Sequence, residues 1–97
     1  MTHSFHSEAE QELVEAIEFY EGREPGLGND FALMVEEAID RILRFPEASP
    51  KVWGEVRRCL VDRFPFGVVY STKPDSIFIL AIMHLSRAPA YWTHRSS

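Results

Sequence analysis

Cysteine is nearly absent from this 97-residue chain. Cys59 stands alone, which excludes an intramolecular disulfide framework and any cysteine-based zinc site. Also missing is an apolar run near the roughly 18–20 residues of a membrane span. Met1 to Glu8 carries no signal-peptide pattern, so a cytoplasmic protein without membrane attachment is expected. Positive charge is scarce: 10 Lys and Arg face 15 Asp and Glu, for a net charge of −5. That balance argues against loose, sequence-independent binding of nucleic acid. The four histidines, His3, His6, His84 and His94, lie two near each terminus. No pair has the i, i+4 spacing of a helical zinc site, so neither metal nor cofactor is expected.

What is present has the balance of an ordinary soluble globule, 45% hydrophobic and 26% charged. The length fits one domain over residues 1–97. So short a chain buries only about 60–65% of its unfolded surface, and a partner is expected to cover part of what remains. The charge is uneven. Residues 1–46 carry eleven acids against three arginines, a balance of −8, and residues 47–97 carry +3. The basic half can present one local positive face.

The hydrophobic pattern divides the chain into elements. Thr2–His6 suits a short edge strand. Ser7 followed by Glu10 reads as a capping box, and Ala9, Leu13, Ala16, Ile17 and Tyr20 then form one helical face. The glutamates fill the other, as a solvated surface. Pro25-Gly26-Leu27-Gly28 breaks this helix near Glu24. A second helix, capped by Asn29 or Asp30, carries the stripe Phe31, Met34, Val35, Ala38, Ile39, Ile42 and Leu43 and stops at Pro46 and Pro50. Three β-rich stretches follow: Val56–Phe64, Phe66–Thr72 and Ser76–His84. Lys73-Pro74-Asp75-Ser76 suits a tight turn between the last two. Ile77 to Met83 is apolar on both faces, as in a central strand. Pro65 marks a bend, and Pro89 opens a short final helix, Ala88–Arg95, anchored by Tyr91 and Trp92. The expected fold is α+β: a short N-terminal strand, an antiparallel helical hairpin on a small, mostly antiparallel sheet of three to four strands, and a short C-terminal helix.

This order, with certain residues in place, resembles the RelE/ParE superfamily of bacterial toxins from type II toxin–antitoxin pairs, the plasmid-stabilisation type. The residues that carry the likeness are AEQELVEAIEFYE (Ala9–Glu21), Gly-Leu-Gly before the second helix, and Arg57-Arg58. Arg63-Phe64-Pro65-Phe66 leading into Val68-Val69-Tyr70 continues it, and so does the tail with His84, Arg87, Pro89, Tyr91 and Trp92. The resemblance implies a growth-inhibiting toxin held silent by a cognate antitoxin. ParE-like members act on a protein, DNA gyrase; RelE-like members are ribosome-dependent mRNA endonucleases. A third outcome is a non-toxic module that still binds the antitoxin.

The nuclease alternative needs a proton acceptor, cations for the phosphorane and a group near the leaving oxygen. If it held, the catalytic set would be Arg58, Arg63, His84, Arg87 and Tyr91. By resemblance, Leu60, Gly67 and Leu85 stand where further cations are expected. Each lost cation removes about 3 kcal/mol of transition-state stabilisation, which together with the acidic balance favours the ParE-like reading. Each candidate also has a structural reading. Arg57 and Arg63 suit pairing with a helix glutamate or protection of a strand edge. His84 suits capping of strand carbonyls, Arg87 a carboxylate, and Tyr91 packing with its hydroxyl in water. Cys59 suits a small buried apolar side chain. Phe19 and Trp53 fall outside the stripes and are candidates for antitoxin contact.

Overall fold

Both helical stripes turn the residues that their spacing selected toward the core, where they are fully or partly buried. The computed structural model describes residues 1–95. Strand β1 (Thr2–Phe5) leads into α1 (Ser7–Arg23) and α2 (Leu27–Arg44). Then come β2 (Lys51–Trp53), β3 (Val56–Leu60), β4 (Phe66–Lys73) and β5 (Ser76–His84), and a 3-10 turn over Thr93–Arg95. The fold is α+β, as expected. The hairpin α1–α2 covers one face of the sheet, where Ala9, Ala16, Phe31, Val35, Ala38 and Ile42 meet Val68, Tyr70, Ile77, Ile79 and Ile82. Tyr20, Phe31, Phe64 and Phe66 form an aromatic knot at one end of this core, with centroids 4.8–6.2 Å apart.

The sheet has five strands, in the order β1-β5-β4-β3-β2, where three to four were expected. The additional strand is β2, only three residues long and exposed throughout, too short for alternation to reveal it. Strand β1 runs parallel to β5, and the other pairings are antiparallel. Pro74-Asp75 forms the β4–β5 turn, and β5 lies between β1 and β4. The first of the three β-rich stretches ends earlier than its composition suggests, at Leu60 rather than Phe64. Arg63 has a left-handed backbone (φ 70°) and the chain turns there.

Three local expectations are corrected. The cap of α1 is His6, whose Nδ1 accepts from the Glu8 amide at 3.1 Å, rather than Ser7. Helix α2 starts at Leu27, ahead of Asn29 and Asp30, because the Glu21 carboxylate reaches over from α1. It accepts from the amides of Gly26 and Gly28 at 3.0–3.1 Å and so satisfies donors that a side-chain cap would otherwise take. Gly28 lies so close to α1 that a Cβ there would meet the Ile17 carbonyl at 2.6 Å. The final helix is also absent: residues 88–92 form turns, and only Thr93–Arg95 make a 3-10 turn.

A bulge in β5 shapes the second face of the sheet. Val69 pairs with Ala81 and Tyr70 with Ile79, which leaves Leu80 as the extra residue. Leu80 and Ala81 therefore point to the same side, the face away from the helices. There they pack with Val56, Val69, Met83 and Trp92, and Phe78 and Tyr91 flank them. Among the described residues, this outer face is covered only where the C-terminal segment crosses it.

Candidate functional site

The candidate residues occupy three places. His84 and Arg87 lie together in a groove of about 330 Å³ at the end of β5, walled by Glu12, Glu15, Phe19, Tyr20 and Phe66. The ring of His84 packs edge-on to Phe66 (5.0 Å), and its Nδ1 takes the Ser86 amide at 3.0 Å. His84 therefore caps the turn after its strand. The Arg87 guanidinium lies 3.8 Å from the centroid of the Tyr91 ring, a cation–π stack rather than the expected carboxylate pair.

Tyr91 is bound to a different partner than expected. Its hydroxyl donates to Glu12 Oε2 at 2.8 Å instead of reaching water. Burial, followed by that hydrogen bond to a carboxylate, pushes its phenol well above the ordinary tyrosine range. A phenol so engaged, with a carboxylate against its oxygen, is poorly placed to approach a phosphate.

The sequence pattern places Glu12 on the solvated glutamate face, and the structure corrects this: its side chain is only 14% exposed. Strand β1 ends at Phe5, where the His6 amide still reaches the Ile79 carbonyl at 2.8 Å. Beyond that point the edge of β5 has no strand beside it. Glu12 Oε1 accepts from the Ile82 amide at 3.1 Å, and Arg95 Nη1 donates to the carbonyl of the bulge residue Leu80 at 3.1 Å. Arg95 also donates to both Glu12 oxygens at 2.9 and 3.1 Å. Its Nε lies 2.7 Å from Glu8 Oε2, in an orientation too oblique for a hydrogen bond and so a charge contact. His94 Nε2 is 3.1 Å from the same Glu8 oxygen. The hydrogen bond with His94, helped by Arg95, holds the Glu8 carboxyl below its usual value. The sequence held one signal for Glu12. It stands three residues after Ala9 and four before Ala16, at the border of the apolar stripe, where a side chain can fold inward.

Arg63 and Arg58 lie elsewhere. Arg63, exposed at the turn after β3, pairs with Asp30 of α2 at 3.8 Å rather than with a helix glutamate. Arg57 faces the helices, and its Nη1 donates to the carbonyls of Glu47 and Ser49 at 2.9 and 2.7 Å. Arg58, opposite Val69 on the outer face, lies flat over Gly67. A Cβ at Gly67 would meet Arg58 Cγ and Cδ at 2.8 Å. The Arg58 Nε is buried, and among the described residues no hydrogen bond or ion pair reaches this guanidinium. Leu60, two residues along the strand, is 53% exposed, and Leu85 and Trp53 are also exposed. Trp53 stands edge-on to the buried Trp92 at 6.1 Å. Cys59 is half-buried against the helix-side core. Phe19 is exposed, under the Arg23 guanidinium at 5.3 Å.

No hydrogen bond, ion pair or ring contact among the described residues joins Arg58 or Arg63 to His84, Arg87 and Tyr91. Nor do any three His, Cys, Asp or Glu side chains among them stand where they could share a metal ion. No helix among the described residues is long and apolar enough to cross a membrane.

Comparison with known proteins places this arrangement. Residues 4–89 match a family described as the ParE toxin of the type II toxin–antitoxin system, parDE. Among solved structures, a chain from the chromosomal ParDE TA system from P. aeruginosa is similar, with a TM-score of 0.77. The match covers 89% of this chain and 97% of that one at 18% identity, a likeness of fold. No curated protein matches.

Proposed function

The chain belongs to the ParE toxin family of type II toxin–antitoxin systems, and from that premise we propose that it inhibits growth by contact with a protein target, DNA gyrase, rather than by cutting RNA. The observation that carries this reading is the chemistry of the outer sheet face. Where the nuclease branch of the superfamily calls for cations stand Leu60, Gly67 and Leu85, around a single unpaired Arg58. A phosphate chain needs several cations in register. A protein surface is better met by apolar area with one charge at its centre. The attachment of Tyr91 to Glu12 supports the same reading, because its hydroxyl is already engaged by a carboxylate.

On this reading the whole chain, 1–97, is one cytoplasmic toxin domain, silenced by a cognate antitoxin that covers apolar surface left by its small core. Exposed Phe19 and Trp53 are candidates for that contact. Pulse incorporation of labelled thymidine and labelled methionine, minutes after induction without antitoxin, tests the target. Thymidine incorporation is expected to fall first, and the purified chain to inhibit supercoiling by gyrase. An earlier collapse of methionine incorporation would overturn the proposal in favour of RNA cleavage. No fall in either would leave an antitoxin-binding module without toxicity.

A further inference from the structure

We propose that the open corner of the outer sheet face is the surface that meets the inhibited protein, with the Arg58 guanidinium receiving a carboxylate from it. The inference rests on the protein-contact reading above and adds to it the site and the chemistry of the partner.

Three observations converge on this corner. The first is an arginine without a partner. Arg58 is half-buried, its Nε is shut away from water, and among the described residues nothing pairs with its charge. Only Nε is shut in, so the Nη edge of the guanidinium stays open to an incoming group, and a bidentate carboxylate is the acceptor that its planar fork fits. The second is a glycine that makes room for it. Gly67 is buried in β4 with an ordinary extended-side backbone, for it is not among the positive-φ glycines. Its conformation therefore does not require glycine; the space under the Arg58 stem does. The missing side chain lets the arginine lie along the sheet rather than stand up into solvent.

The third is the apolar surround. Leu60 projects on one side, Leu85 follows two residues after Met83, and Trp53 stands at the β2 end, all three exposed. A hollow of about 430 Å³ continues past the edge of β3, lined by Phe45, Pro50, Cys59 and Leu60 together with the polar Arg41 and Ser49. Apolar side chains around one arginine exclude water from the ion pair they enclose, as at the centre of tight protein interfaces.

Charge decides between a protein and a nucleic acid as the occupant. Arg57 points to the other face and is bound to backbone carbonyls, Arg41 beside the hollow donates to the Leu60 carbonyl and pairs with Asp62, and Arg63 stands at the turn 3.8 Å from Asp30. Among the described residues Arg58 is thus the cation of this corner left without an acceptor, in a chain of net charge −5. It suits one carboxylate better than a row of phosphates.

The test uses the full chain and four variants: Arg58→Gln, Arg58→Glu, Gly67→Ala and Lys73→Gln. Gly67→Ala keeps the charge but drives the Arg58 stem off the sheet. Lys73→Gln removes an exposed cation at the far end of β4 and serves as the charge control. Thermal unfolding is expected to change little for the Arg58 and Lys73 variants. The readouts are growth arrest on induction, inhibition of supercoiling by the gyrase holoenzyme, and co-purification with the cognate antitoxin. The two Arg58 variants and Gly67→Ala are expected to need at least about tenfold more protein for half-inhibition, as for a central interface arginine. Lys73→Gln is expected to stay within about twofold and all variants to retain antitoxin. Wild-type potency in Arg58→Glu would overturn the inference and leave the protein-contact reading standing. Loss of antitoxin binding with potency intact would assign the corner to the antitoxin and overturn it as well. Equal weakening by Arg58→Gln and Lys73→Gln, with a steep salt dependence, would indicate a polyanion instead. If wild type arrests growth without inhibiting gyrase, gyrase falls as the target and growth arrest alone judges Arg58: loss in Arg58→Glu sustains the inference, and full arrest overturns it. A wild-type chain inert in both assays would overturn both readings.

Discussion

The sheet meets two arginines in opposite circumstances, Arg95 at the open edge of β5 and Arg58 on the outer face. Arg95 is 8% exposed and held by Glu12, by the Leu80 carbonyl and by the charge of Glu8. Arg58, two strands away, is unpaired. The backbone makes the difference. The β5 bulge and the early end of β1 leave a carbonyl and an amide without strand partners, and Arg95 and Glu12 take them up, carrying Tyr91 and Trp92 onto the sheet. In β3 the ladder with β4 is regular, so the main chain offers Arg58 no free acceptor. Of these two arginines, the one beside the broken ladder is structural and the one on the intact ladder stays available; Arg57, on the helix side of the same strand, finds its carbonyls in the loop before β2 instead.

The contrast predicts a graded series in stability. The largest effect belongs to Trp92, 1% exposed at the centre of the covered corner. Trp92→Ala is expected to lose about 4 kcal/mol, read by chemical denaturation. A loss below about 1 kcal/mol would mean that the tail adds little and that the two corners differ less than their burial suggests. Next comes Arg95→Ala, expected to cost about 3 kcal/mol, because it leaves the largely buried Glu12 carboxylate unpaired. Restoration of much of that loss by adding Glu12→Gln, in a double-mutant cycle, would attribute it to the stranded charge. Stability unchanged by Arg95→Ala would break the comparison at its base.

A pH titration sharpens it more gently. Burial raises the phenols of Tyr20, Tyr70 and Tyr91, the last with the added weight of Glu12. A raised folded-state pKa stabilises fully below the unfolded value, near 10, and that stabilisation is lost as pH climbs past it. Stability should therefore decline above about pH 10, with little tyrosinate absorbance before unfolding. A clear tyrosinate step near pH 10 in the folded protein would show that the covered corner is open to water. The smallest stability change, within about 0.5 kcal/mol, belongs to Arg58→Gln, since the open corner contributes to contact rather than to folding.

Much of the architecture was legible because periodicity reports burial directly. The stripes from Ala9 to Tyr20 and from Phe31 to Leu43 became the helix-side core, and the apolar run Ile77–Met83 became an interior strand. Boundaries were less legible, since long-range groups decided them. Glu21 set the start of α2 from another helix, and the reach of Trp92 and Arg95 to the sheet accompanies turns where Pro89 suggested a helix. Strand β2 lacked the length to register as a pattern. The candidate site was legible as a set of residue types but not as a constellation. Nothing along the chain links Tyr91 or Arg95 to Glu12, about eighty positions away.

By itself, then, the sequence determined the two helical faces, the central strand and the acidic-to-basic division of the chain, because each depends on neighbours within a few residues. The tertiary structure decided which charges are bound and which are free. Whether Glu12, Tyr91 and Arg95 neutralise one another, and whether Arg58 rests unpaired over Gly67, depends on where a bulge and a strand end fall in a ladder. Only folding brings those distant groups to the same place.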